Sequence, residues 1–97
     1  MASEYYVIGV RPFKMGTDKE AALKPLEEAA EAFGEWQTAD RDSDGIEDIV
    51  YECCDVMQAA CNLMWRVGAT QGDVDVAMYA VEEANKARGR YGSDGTD

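Results

Sequence analysis

The sequence predicts an all-α fold of about three main helices per chain, a helical bundle completed by oligomerisation. Apolar residues recur at helical spacing in three runs, over about residues 18–38, 46–67 and 74–88. Glycines follow the second and third runs, where helices commonly end. With 97 residues and 46% hydrophobic content, the chain is one small domain, and a domain of this size buries only a modest core on its own.

The first helix is predicted from a capping box, in which Thr17 caps the helix and Glu20 reaches back. Pro25 either kinks this helix or lies in the first turn of a second one after a short lead-in. Apolar residues then continue at helical spacing to about residue 38: Leu26, Ala29, Ala30, Phe33 and Trp36.

The second and third helices follow short connections. Residues 39–45 are predicted as a loop, with Asp44 and Glu47 as the capping box of the second helix. Asp73 is predicted to cap the third helix, which ends near Gly89.

The chain divides into three parts. Residues 1–16 are predicted as an extended N-terminal arm whose YYVIGV run is β-prone, and it forms either a short strand or an arm across a neighbouring subunit. Residues 17–91 form the helical domain, and residues 92–97 are a flexible tail.

Charge and composition exclude several functions. A net charge of −11 and a pI near 4.2 argue against nucleic acid or an anionic membrane as partner. No apolar run is long enough to span a bilayer, and the N-terminus does not have the pattern of a signal peptide. There is no histidine, so Cys53, Cys54 and Cys61 are predicted as small buried side chains in a reducing cytoplasm rather than zinc ligands.

Four carboxylates form two helical pairs, Glu28 with Glu31 in EEAAE and Glu52 with Asp55 in ECCD. Residues three apart share a helix face, so each pair offers oxygen ligands to one small, hard cation. Periodicity places Glu28 and Glu31 on the solvent side of their helix, whereas Glu52 borders an apolar stripe. Because a half-buried carboxylate usually needs a cation, the pairs predict a Mg²⁺ site, with Mn²⁺ as an alternative. The competing interpretation is a set of solvated acidic faces.

The end of the third helix carries polar residues on its apolar face. Asn85 and Arg88 continue this face, with Lys86 beside them. Arginine suits phosphate oxygens, but basic residues here would also complement the helix dipole.

The order EExxE, ExxD and a third helix ending in Asn-Lys and Arg resembles the MazG-type all-α nucleoside triphosphate pyrophosphohydrolases. The resemblance covers roughly residues 18–91. It implies cleavage of a nucleoside triphosphate to the monophosphate and pyrophosphate. It also implies roles for individual residues. The Mg²⁺ ligands would be Glu28, Glu31, Glu52 and Asp55. The water would be oriented or deprotonated by Glu31 or Glu52. The nucleotide would be bound by Asn85, Lys86 and Arg88, with Trp36 as a candidate for base stacking.

Two alternatives stay open. Residues 40–51 begin like an EF-hand loop (DRDSDG), although Tyr51 stands where the bidentate glutamate belongs, so a calcium-binding module is the first alternative. The second is a catalytically idle, nucleotide-binding subunit. A homodimer or homotetramer is expected in each case, because a three-helix chain must close its bundle.

Overall fold

A computed structural model describes residues 9–39 and 43–92 of the protein, and these residues contain no β-strand. They form three helices: α1 (Asp18–Thr38), α2 (Ser43–Arg66) and α3 (Gln71–Ala87). The all-α prediction is therefore confirmed. None of the helices is both long and apolar enough to cross a membrane.

Helix α1 begins at the predicted capping box. The backbone N–H of Glu20 donates to Thr17 Oγ1 over 3.1 Å, and Glu20 Oε1 accepts the Thr17 N–H over 2.9 Å. The helix runs through Pro25 without ending, so α1 is a single helix.

Helix α2 begins earlier than the sequence predicts. Its first residue is Ser43, so Asp44 already lies in the first turn and is not the cap. Residues 40–42 of the predicted loop lie outside the described residues. Gly68 follows the end of the helix with a φ of 90°, a left-handed conformation that a side chain would disfavour, as the predicted stop requires.

Helix α3 has a different cap from the predicted one. Thr70 is the N-cap, and its side chain accepts the Asp73 N–H over 3.1 Å. Asp73 is the reciprocal partner, accepting the Thr70 N–H over 2.9 Å. The sequence reading missed Thr70 because both residue types can cap a helix.

The helices pack unequally. α1 packs along α2, whereas α3 meets the rest of the described chain mainly at its first turn, where Val74 joins Cys61 in a small apolar cluster. Val10, Met64 and Trp65 pack against this cluster.

The face that α1 turns toward α2 differs from the predicted one. Ala21 and Glu28 are buried, while Leu26 and Phe33 are 69% and 58% exposed. The apolar stripe of α1 therefore faces outward in the single chain, and part of its acidic face lies inward.

A polar row on α2 holds the N-terminal arm. Gln58 donates to the Arg11 carbonyl over 2.9 Å, and Asn62 Oδ1 accepts the Phe13 N–H over 2.8 Å. Arg66 donates to the Met15 carbonyl over 2.7 Å. Residues 9–16 thus lie against α2, and residues 1–8, which hold most of the β-prone run, lie outside the described residues, as does most of the tail.

Two of the three cysteine predictions are wrong. Cys61 is fully buried, but Cys53 and Cys54 are exposed in the single chain.

Candidate metal centre

Three of the predicted carboxylates come together between α1 and α2. Glu28, Glu31 and Glu52 each place an oxygen so that all three oxygens lie within 4.8 Å of one another. Glu28 and Glu31 are one turn apart on α1, and the packing of α1 on α2 brings Glu52 opposite them. We call these residues the carboxylate trio.

The trio spans a gradient of exposure. Glu28 is 8% exposed, Glu52 is half-buried and Glu31 is exposed. Oε1 of Glu52 is buried and has no hydrogen-bond partner among the described residues. An unpartnered carboxylate oxygen in such a place costs free energy unless a cation or a proton is bound to it.

The fourth predicted ligand, Asp55, lies beside the trio and shares a cavity wall with Glu28. This cavity has a volume of about 130 Å³. All its lining residues come from α1 and α2: Lys24, Glu28, Asp55, Gln58, Ala59 and Asn62.

The electrostatics of the site centre on Glu52. Burial raises the pKa of Glu52 above its ordinary value of 4.5, and the negative charges of Asp55, Glu31, Glu28 and Glu35 raise it further. A divalent cation would reverse this effect by favouring the charged carboxylates. An all-oxygen, anionic set of ligands fits Mg²⁺ or Mn²⁺ better than zinc.

Sequence reasoning missed a cation at this site, Lys24. Its Nζ lies 3.2 Å from Glu28 Oε2 and 3.6 Å from Glu27 Oε1. The hydrogen bond to Glu28 and the charge of Glu28 raise the pKa of Lys24 above 10.5. The spacing of four residues between Lys24 and Glu28 is the signal that could have revealed the pair.

It also missed the polar floor of the cavity. Asn62 is 2% exposed, and its Oδ1 accepts hydrogen bonds from Gln58 and from the Phe13 backbone. These two amides tie the cavity wall to the N-terminal arm. The sequence shows that Gln58 and Asn62 are four residues apart on one helix face. It does not show that residues 11 and 13 pack against this face.

The predicted nucleotide-binding residues of α3 interact with α3 and with the turn that follows it. Lys86 Nζ lies 3.2 Å from Glu83 Oε2, and Asn85 Oδ1 accepts a hydrogen bond from Arg90 over 3.0 Å. Arg88 is the C-cap residue. The cavity beside the trio takes no lining residue from α3.

Trp36 lies near the end of α1. Its ring stacks on that of Phe33, with centroids 5.8 Å apart and planes at 23°. Trp36 is 51% exposed, so one aromatic surface stays accessible in the single chain.

The EF-hand-like segment does not have loop structure where it is described. Residues 43–51 are helical in α2, and residues 40–42 lie outside the described residues. A calcium-binding loop needs non-helical backbone over most of this stretch to bring its oxygens together, so the calcium alternative receives no support from the structure.

No protein-family model, curated protein or solved structure matches this chain.

Proposed function

We propose that this chain is a Mg²⁺-dependent nucleotide pyrophosphohydrolase that cleaves a (deoxy)nucleoside triphosphate to the monophosphate and pyrophosphate. The observation that carries the proposal is the carboxylate trio, in which two helices bring three carboxylates together around a buried, unpartnered oxygen of Glu52. The choice of reaction rests on the resemblance of the EEAAE, ECCD and NKAR segments to the MazG-type enzymes.

The carboxylates have two tasks in this proposal. Glu28, Glu31, Glu52 and Asp55 hold Mg²⁺, or Mn²⁺ in its place. An ion held by these residues would supply charge neutralisation for the triphosphate and a more acidic water.

Glu31 or Glu52 then orients the attacking water and takes its proton. The water oxygen bonds to phosphorus, and the bridging bond between the α and β phosphates breaks to release pyrophosphate. Glu31 and Glu52 both place a carboxylate oxygen in the trio, so either one can serve as the proton acceptor.

The nucleotide itself is assigned to Asn85, Lys86, Arg88 and Trp36. Since the described lining of the cavity comes from α1 and α2, the end of α3 would have to join it from a second copy of the chain. We therefore propose a homodimer or homotetramer as the active form.

The experiment is an assay of the purified protein with Mg²⁺ against a panel of nucleotides, resolving pyrophosphate from orthophosphate. We expect pyrophosphate and monophosphate from some nucleotides, and a loss of at least about a hundredfold in Glu52→Gln, as for removal of a general base. Glu47→Gln is the matched control, because Glu47 is an exposed glutamate on the same helix outside the trio.

Three outcomes separate the alternatives. Equal activity in Glu52→Gln and the wild type would reject the site. Mg²⁺-dependent nucleotide binding without any product would favour the idle subunit. No product and no binding of Mg²⁺ or nucleotide would reject the proposed function altogether.

A further inference from the structure

Among the described residues, Lys24 is the cation that lies against the carboxylate trio. Its ammonium nitrogen is 3.2 Å from Oε2 of Glu28, which is 8% exposed, and its own side chain is 39% exposed. A buried carboxylate without a counter-ion is costly, so this ion pair stabilises the metal-free site. The lysine stem is long and flexible, so its ammonium can leave Glu28 without a change in the backbone.

Lys24 and a divalent metal ion compete for the same carboxylate. A Mg²⁺ ligand oxygen lies about 2.0–2.1 Å from the ion, so an ammonium group in contact with Glu28 would stand within a few ångströms of the metal. Two cations this close repel each other, and the repulsion is stronger near the protein surface than in bulk water. Metal binding at Glu28 would therefore favour movement of the ammonium away from this carboxylate.

The ammonium has a place to go that suits an anionic ligand. Lys24 lines the same cavity of about 130 Å³ as Glu28 and Asp55. Displaced from Glu28, it stays within reach of any phosphate oxygens held beside the metal, and ammonium groups bind such oxygens as point charges.

We propose that Lys24 is an internal counter-ion, which holds Glu28 in the metal-free protein and passes to the phosphate of the ligand when the metal binds. The proposal rests on the proposed function, because it requires a metal at the trio. It assigns Lys24 a positioning role that couples metal binding to the binding of a polyphosphate.

The test is a pair of calorimetric titrations on Lys24→Met, first with Mn²⁺ alone and then with inorganic pyrophosphate at saturating Mn²⁺. We expect Mn²⁺ to bind about fivefold more tightly than to the wild type, since a competing cation is removed. Pyrophosphate should bind about fivefold more weakly, since a phosphate ligand is lost. A merely structural role for Lys24 would not move the two affinities in opposite directions.

Lys19→Met is the matched control, since it removes the same charge from the same helix at an exposed position outside the cavity. Both of its affinities should stay within about twofold of the wild type, as expected for a screened charge at a distance. Lys24→Arg keeps a cation and should resemble the wild type in both titrations. Lys24→Gln provides a second neutral variant if circular dichroism shows that Lys24→Met is misfolded.

The outcomes distinguish this proposal from the proposed function. Equal affinities in wild type and Lys24→Met, or equal changes in Lys24→Met and Lys19→Met, would overturn the role of Lys24 and leave the metal site intact. A wild-type protein that binds no Mn²⁺ would overturn both.

Discussion

At the scale of single residues, the carboxylates of the candidate metal centre differ in their burial and in whether their charge has a partner. Glu28 is almost fully buried but has Lys24 as its partner. Glu52 is less buried but has an oxygen with no partner among the described residues. Because a buried carboxylate is tolerated only when its charge is compensated or neutralised, a bound cation or proton at Glu52 would stabilise the fold.

Glu52→Gln should therefore raise the melting temperature of the metal-free protein at pH 7. The raised pKa of Glu52 means that its protonated form stabilises the fold. The stability contributed by protonated Glu52 is present below pH 4.5 and is lost as the pH rises through the higher pKa of the folded state. Near pH 4 the wild-type side chain is protonated and neutral like glutamine, so the difference in melting temperature should disappear there. Thermal melts in EDTA at the two pH values provide the measurement.

Added Mg²⁺ should reverse the order at pH 7, because ligand binding stabilises only the chain that keeps the site. A Glu52→Gln protein that melts below the wild type in EDTA would contradict the interpretation that the charged Glu52 carboxylate destabilises the metal-free fold.

At the scale of helices, α1 and α3 differ in what holds them. The buried face of α1 packs on α2 along its length, whereas α3 depends on its cap and on Val74 near its start. Helices in proteins are stabilised mainly by packing, which α3 has little of among the described residues. The capping box of Thr70 and Asp73 should therefore matter more to α3 than the box of Thr17 and Glu20 matters to α1.

Thr70→Ala should lower the stability of α3 by about 1 kcal/mol, the usual cost of losing an N-cap. Amide hydrogen exchange should show the loss within α3, with α1 and α2 little changed. Thr38→Ala is the control, because the Thr38 hydroxyl donates back to the Gly34 carbonyl at the far end of α1 and caps nothing. Uniform loss of protection across all three helices would show that α3 is more tightly coupled to the rest than the described contacts indicate.

At the scale of the whole molecule, residues 9–39 and 43–92 bury few apolar side chains. The buried apolar core of the described residues consists of Ala21, Ala59, Cys61 and Val74. The radius of gyration is 15.6 Å, compared with about 12–13 Å for a compact domain of this length. Large apolar side chains stay exposed on α1 and α3, among them Leu26, Phe33, Met78 and Val81. Such faces are typical of surfaces that pack against another chain.

Val81→Asp should shift the protein toward monomer if a second copy covers the apolar face of α3. Light scattering coupled to size-exclusion chromatography gives the mass of each species. Val76→Asp is the matched control, because Val76 is also exposed but lies on the opposite side of α3 from Val74 and Val81. A monomeric wild type, or equal dissociation in both variants, would contradict association through this face.

The sequence by itself determined the elements of this protein. Helical periodicity gave three helices in the described residues, and local chemistry placed the start of α1 at Thr17 and the stops after α2 and α3. These features depend on residues within one turn of each other, so they can be read without a fold. The pairing of Glu28 with Glu31 has the same origin, because it depends only on spacing along one helix.

The tertiary structure alone decided which faces are buried. The apolar stripe of α1 predicted an inward Leu26 and an outward Glu28, yet Leu26 is exposed and Glu28 is buried. The place of Lys24 beside the carboxylate trio and the contact of Asn62 with the Phe13 backbone were likewise decided by the tertiary structure. Each of these depends on what a second element, distant in sequence, brings against the helix. Periodicity identifies the faces of a helix but cannot say which face meets a neighbour within the chain and which is left for another molecule.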